Sequence, residues 1–143
     1  MDSRNDAVLA YLETERVAEP GTSGPWVKDG YSLATHPDLC ERVEQLNEAA
    51  GRPAELKYLY GKPALVTADG VVVAFGGGTY VLAVRLPAGD IDERLHGKIH
   101  DNRARLEALT SRGWTLVDPW AIALPKQKGV EALADLIRRA VAS

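Results

Sequence analysis

The residues of this chain best suited to chemistry are its three histidines, its cysteine and a few acids near them. His96 and His100 stand four apart, so on an unbroken helix they share a face, with Asp92 one turn earlier. His36 and Cys40 repeat that spacing, and together the four side chains offer a nitrogen and sulfur set for zinc. Against a metal centre, Gly97 interrupts the first pair and Pro37 makes His36 a helix cap. The short Cys-x-x-Cys spacing of a zinc motif is absent, and the residues alone call for no cofactor. Cys40 as a nucleophile fares no better, since it falls in an apolar helical stripe where thiols are inert. Asp90, Asp92 and Glu93 crowd a helix start, where acids are favoured whatever their chemistry. Gly76-Gly77-Gly78 lacks the ending of a phosphate loop and precedes a strand, so it reads as a hairpin turn.

Aromatic and basic residues suggest binding. Tyr58, Tyr60 and Tyr80 read as packing residues with wet hydroxyls, and Trp26, Trp114 and Trp120 as core or interface anchors. Arg103, Arg105, Arg112, Lys126, Lys128, Arg138 and Arg139 gather in the C-terminal third. They are either solvated helix faces or a basic patch for nucleic acid or an acidic partner.

The elements that must position these groups centre on residues 56–87, which alternate β-branched and aromatic runs with turn residues. Runs at 56–60, 64–67, 71–75 and 79–86 read as a β-meander, broken at Gly61-Lys62-Pro63, Asp69-Gly70 and the glycine triplet. In the last run Tyr80, Leu82, Val84 and Leu86 point one way and Val81, Ala83 and Arg85 the other. A helix is expected over 2–17, with Ser3 and Asp6 as its capping pair, then a loop or arm over 19–36. Trp26–Leu33 within that arm suit a small hairpin. A second helix is expected from Pro37 to the glycine at 51, and helical residues again over 90–112. A strand over Trp114–Val117 stops at Asp118-Pro119, residues 120–124 suit an edge segment, and a helix runs from about 129 to 141. The expectation is one α+β domain over 1–143, with an antiparallel sheet of four or five strands packed on one face by helices.

Composition bounds what such a domain does. The 143 residues carry a net charge of −3, which gives no electrostatic reason to expect nucleic acid. One cysteine allows no internal disulfide. No run reaches the ~20 apolar residues of a membrane span, and the N-terminal residues lack the apolar core of a signal peptide. A cytoplasmic protein is expected.

The meander and C-terminal third resemble the TfoX N-terminal-domain family over roughly residues 38 to 143. The resemblance is carried by Tyr60-Gly61-Lys62-Pro63-Ala64-Leu65, Asp69-Gly70 and Leu82-Ala83-Val84-Arg85-Leu86-Pro87. Arg112-Gly113-Trp114-Thr115-Leu116-Val117-Asp118-Pro119, followed by Leu133–Ala140, completes it. Tyr60 and Lys62 stand where the family favours phenylalanine and a second glycine, and residues 1–35 look added. The family includes regulators of bacterial competence that act through transcription, and it carries no agreed catalytic residues. The resemblance therefore implies a non-enzymatic regulatory or adaptor domain acting through a protein partner, a homodimer being one form of such contact. Trp26, Tyr60, Trp114 and Trp120 are the candidate contacts. Two further readings stand beside it. One is a ligand- or metal-binding domain, or a minor enzyme, with His96, His100 and Asp118 converging in a cleft. The other is nucleic-acid binding through Arg103, Arg105, Arg112, Arg138 and Arg139.

Overall fold

The computed structural model describes residues 2–14, 26–28, 31–33, 35–97 and 108–143. Helix α1 (Asp6–Thr14) follows a short 3-10 turn at Ser3–Asn5. Asp2, and not Ser3, caps that turn by accepting from the Arg4 backbone N–H at 2.8 Å. The hairpin is present as β1 (Trp26–Lys28) and β2 (Tyr31–Leu33), paired antiparallel with Val27 opposite Ser32. Helix α2 (Pro37–Ala49) begins where the sequence places it, with the His36 ring Nδ1 accepting from the Asp38 N–H at 3.1 Å.

Five strands, β3 (Glu55–Leu59), β4 (Lys62–Val66), β5 (Val72–Gly77), β6 (Val81–Val84) and β7 (Thr115–Val117), form an antiparallel sheet in sequence order. The α+β meander is therefore as expected, while its turns are not where the residue types suggested. Tyr60 (φ 52°) and Gly61 (φ 81°) alone make the first turn, so Lys62 and Pro63 join β4. Gly70 (φ 85°) is left-handed in the second turn and Asp69 is not. Gly76 and Gly77 are strand residues, and the chain turns at 78–80. Their lack of side chains serves packing: a Cβ on Gly76 would meet Val43 and Leu39 of α2 at 3.3 and 3.4 Å.

A bulge sets which residues face which layer. Leu65 pairs with Ala74 and Val66 with Val72, leaving Val73 extra. Val73 and Ala74 then both join the cluster under α2, while Val72 and Phe75 join the opposite one. Helix α2 and the last helix, α3 (Lys126–Ala142), cover one face through Leu39, Val43, Leu46, Leu133 and Ile137. The expected helical cover on one face is thus present. The other face has a layer of its own, in which Val8 and Leu12 of α1, with Leu109 and Trp114, pack on Val66, Phe75 and Ala83. Burial on both sides explains why every residue of β4 and β5 is buried, including the aliphatic stem of Lys62.

The continuous helical region expected over 90–112 is not found in its described part. Short 3-10 turns at Ala88–Asp90 and Glu93–Leu95 lead to an extended His96 (φ −63°, ψ 135°) paired with Val117. Residues 108–110 are helical again. Residues 120–124 form turns and no edge strand, and α3 starts three residues earlier than expected, after Pro125. Among the described residues, no helix is long and apolar enough to cross a membrane.

Candidate functional site

A surface built from several side-chain-to-backbone hydrogen bonds lies where β7 ends. Proline at 119 cannot extend the ladder, and the Asp118 carboxylate organises the turn beyond it. Its Oδ1 accepts from the Trp120 N–H and its Oδ2 from the Ile122 N–H, both at 3.0 Å. The Asp118 backbone N–H donates to the Leu95 carbonyl at 2.7 Å, which ties the turn to the 93–95 segment. Between the two captured amides, Ala121 is held at φ 47°, a conformation L-residues with a Cβ rarely adopt. Ala121 is buried against Gly129 of α3.

Two side-chain clamps fix the turn laterally. The Trp120 indole N–H donates to the Thr79 carbonyl at 3.0 Å, joining it to the β5–β6 turn. Arg42 of α2 donates from Nε to the Pro119 carbonyl at 2.8 Å and from Nη1 to Gln45 Oε1 at 2.9 Å. Its guanidinium carbon lies 5.6 Å from the Trp120 ring centre, within cation–π range. Burial lowers the Arg42 pKa, and the nearby Asp118 charge opposes that shift. The outcome is a rigid turn whose next side chain, Ile122, is 84% exposed. Trp120 also lines a cleft of about 430 Å³, together with Asp38, Glu41, Arg42 and Gln45.

The sequence candidates scatter around this surface. Trp120 belongs to it. Trp114 is only 2% exposed and packs on Phe75 at 5.8 Å between ring centres, so it is a core residue and offers no contact surface. Tyr60 is half-buried in the β3–β4 turn. Trp26 lies in β1, and its side chain falls outside the described part of the structure.

The metal and catalytic sets do not assemble among the described residues. His36 serves as the α2 cap, and Cys40 is fully buried with Sγ 4.0 Å from the Thr35 carbonyl. His96 is extended and not helical, and its Nε2–H donates to the Ile91 carbonyl at 3.1 Å. His100 lies outside the described residues. No group of three or more His, Cys, Asp or Glu side chains suited to a metal occurs among the described residues. The cleft nearest the 93–95 segment, about 750 Å³, is lined by alternating charges such as Asp92, Arg94, Lys128 and Glu131, with His96 and Asp118 outside it. Asp118, the expected third member of a His96 and His100 centre, is instead committed to the two amides of its own turn.

Two members of the basic set bond within the chain. Arg139 pairs with Asp135 at 3.0 Å and donates to the Asp90 carbonyl at 2.7 Å, and Arg138 reaches the Ala49 carbonyl at 3.4 Å. Arg112 is exposed beside a cleft that also contains Asp6, Tyr11 and Ser111. Arg103 and Arg105 lie outside the described residues.

Sequence reasoning missed Arg42 and Ile122. A signal for the turn existed in Asp118, whose short carboxylate suits capture of the amides two and four residues on. Nothing in the sequence announced the partnership with α2, which depends on tertiary placement. Comparison with family models, with curated proteins and with solved structures gave no match to this chain.

Proposed function

We propose that this chain is a non-enzymatic regulatory or adaptor domain that works by binding a protein partner, with the Asp118–Ile122 turn as its contact surface. One observation carries the reading: the turn is held by two carboxylate hydrogen bonds, two side-chain clamps and a left-handed alanine, yet it presents an apolar side chain to water. Residues held in sparsely populated backbone conformations cluster at active sites, ligand clamps and switch regions. A rigid anchor also loses little conformational freedom on binding. The resemblance of residues 38 to 143 to the TfoX N-terminal-domain family supports a regulatory role. The basic C-terminal residues give less support to nucleic-acid binding, since Arg138 and Arg139 already bond to their own chain.

The test is quantitative affinity capture from an extract of the native cells, with the wild type and Ile122→Asp side by side. Because Ile122 packs on little, the variant keeps its thermal midpoint. The reading expects one specific partner to be captured by the wild type and lost with the variant. Identical captures by both proteins would remove the turn as the contact surface.

A further inference from the structure

We propose that the β3 edge of the five-stranded sheet pairs with the same edge of a second copy, antiparallel, in one register fixed by charge. This goes beyond the partner contact above and uses the opposite end of the strand order.

The two edges of the sheet are finished differently. Along β7, the Gly97 N–H donates to the Leu116 carbonyl at 2.9 Å and the Asp118 N–H to the Leu95 carbonyl at 2.7 Å. His96 pairs with Val117 between them, so residues 95–97 cover that edge. Strand β3 pairs with β4 alone. In the two-residue hairpin at Tyr60-Gly61, Leu59 and Lys62 form the closing hydrogen-bonded pair, so Glu55, Lys57 and Leu59 bond to β4. Leu56 turns its backbone N–H and C=O outward, and no described residue bonds to them. At Ala54 the edge is already closed, with both backbone groups held by the Asn47 side chain at 3.3 and 2.7 Å.

Charge decides what can add to this edge. Native sheets commonly guard an edge with lysine, whose copies repel across a symmetric pair. Strand β3 instead carries both signs on one face, since Glu55 and Lys57 are exposed and two residues apart. Outward backbone groups bond only to outward groups, so a two-fold pair has few registers. Setting Leu56 against Ala54 of the second copy opposes Glu55 to Glu55, and setting it against Tyr58 opposes Lys57 to Lys57. Setting Tyr58 against Tyr58 places Lys57 opposite Leu59 and matches no charge. Setting Leu56 against Leu56 alone places Glu55 opposite the second copy's Lys57, and Lys57 opposite its Glu55. Both ion pairs then occupy non-hydrogen-bonded positions, where facing side chains come closest. The two Leu56 backbones exchange two hydrogen bonds, and their side chains meet on the α2 side, where each packs on its own core. So small a contact makes a reversible dimer.

The test is sedimentation of the full chain at low ionic strength, from micromolar to millimolar protein, with exchange of the Leu56 amide followed by NMR. The expected result is a monomer–dimer equilibrium in which that amide becomes protected as the dimer fills. Glu55→Lys and Lys57→Glu should each weaken dimerisation about tenfold, because each replaces two attractions with two repulsions. Both positions are exposed, so the variants should keep the urea midpoint of the wild type. Mixing the two single variants restores attraction at both positions, and the mixture should dimerise as the wild type does. The double variant Glu55→Lys, Lys57→Glu should do the same alone. A wild type that stays monomeric throughout overturns the proposal and leaves the edge to a strand of another protein. Single variants that dimerise as well as the wild type overturn it, as does a mixture no better than its components. A dimer that Ile122→Asp dissolves and the charge variants spare also overturns it, placing the contact at the Asp118–Ile122 turn.

Discussion

Ala121 and Gly129 face each other so closely that a Cβ added to Gly129 would fall 2.8 Å from that of Ala121. Gly129 is therefore required inside α3, where glycine costs about 1 kcal/mol of helix propensity relative to alanine. Neither partner can move easily: one belongs to a helix, and the other is a left-handed residue fixed by the Asp118 turn.

Gly129→Ala tests this opposition directly. The gain in propensity of about 1 kcal/mol competes with overpacking of about 1–3 kcal/mol, so a net loss of stability is expected in urea denaturation. Ala121→Gly should relieve the positive φ and vacate the space at once. In that background Gly129→Ala should become neutral or stabilising, so the double-mutant cycle shows strong favourable coupling. Additive effects would mean that the two residues do not meet.

Asn5 joins the N-terminus to the sheet through two hydrogen bonds that no other residue supplies. Its Nδ2 donates to the Gly70 carbonyl at 2.7 Å, and its Oδ1 accepts from the buried Val72 N–H at 2.8 Å. Asn5 itself is fully buried. Asn5→Ala leaves the buried Val72 N–H without its acceptor, a cost of about 1–3 kcal/mol, and adds a smaller loss at the half-buried Gly70 carbonyl. Asn5→Asp should be no better, because a carboxylate would face the Gly70 carbonyl. An unchanged urea midpoint in Asn5→Ala would contradict this account of how α1 is attached.

The strands, α2 and α3 were legible in the sequence because their apolar periods are regular, although the turns between the strands fell elsewhere. Pro37 opened α2 at the first helical position, and Leu82 and Val84 faced the core as alternation required. Tyr80, expected on the same face, lies before the strand in the turn and is exposed. The glycines misled because residue type cannot separate turn from close packing: Gly76 yields space to Val43 and Leu39 and turns nothing. Similarly, Ile91 and Leu95 fit a helical face, yet 3-10 turns and the pairing of His96 with Val117 fix the chain there. Tertiary partners overrode the local pattern. The Trp120 surface was half-legible: the tryptophan was a natural candidate, while Arg42 comes from 78 residues away in sequence.

Acid should act on the short turns through their caps. Side-chain hydrogen bonding to Arg94, with the Arg94 backbone N–H, holds the Asp92 carboxyl down at about 2 against an ordinary 3.8. Arg4 does the same for Asp2, also to about 2. The unfolded chain takes up these protons below 3.8 and the folded one only near 2. The stabilisation is thus complete above the higher value and is lost as pH falls towards the lower one. Both groups are exposed, so salt should reduce the effect. Carboxyl-carbon NMR titration should give midpoints near 2, and Asp92→Asn should flatten the fall of the urea midpoint over this window. A midpoint at the ordinary value would show that the Arg94 contact does not persist in solution.

Cys40 is fully buried on α2, beneath the Thr35 carbonyl. Its thiol should therefore react with Ellman's reagent no faster than the chain opens, with a rate that climbs steeply in urea. Zinc added to the native protein should leave that rate unchanged, because a metal ligand at this position would have to emerge from the core. Rapid labelling of the native protein would place the thiol at a surface.

Trp114 and Trp120 should separate cleanly when each is replaced. Trp114 is enclosed by the layer under α1, and its neighbour Phe75 also meets Tyr11 at 5.6 Å between ring centres. Trp114→Ala should therefore cost about 3–5 kcal/mol and leave a measurable unfolded fraction. Trp114→Phe retains much of the packing and should keep the fold and any partner. Trp120→Phe removes one indole hydrogen bond to Thr79, worth about 1 kcal/mol, and loosens the turn that carries Ile122. It should weaken partner capture far more than it lowers the thermal midpoint. If Trp114→Phe abolished capture in a fully folded protein while Trp120→Phe spared it, the recognition surface would have to lie across the sheet, on the α1 side.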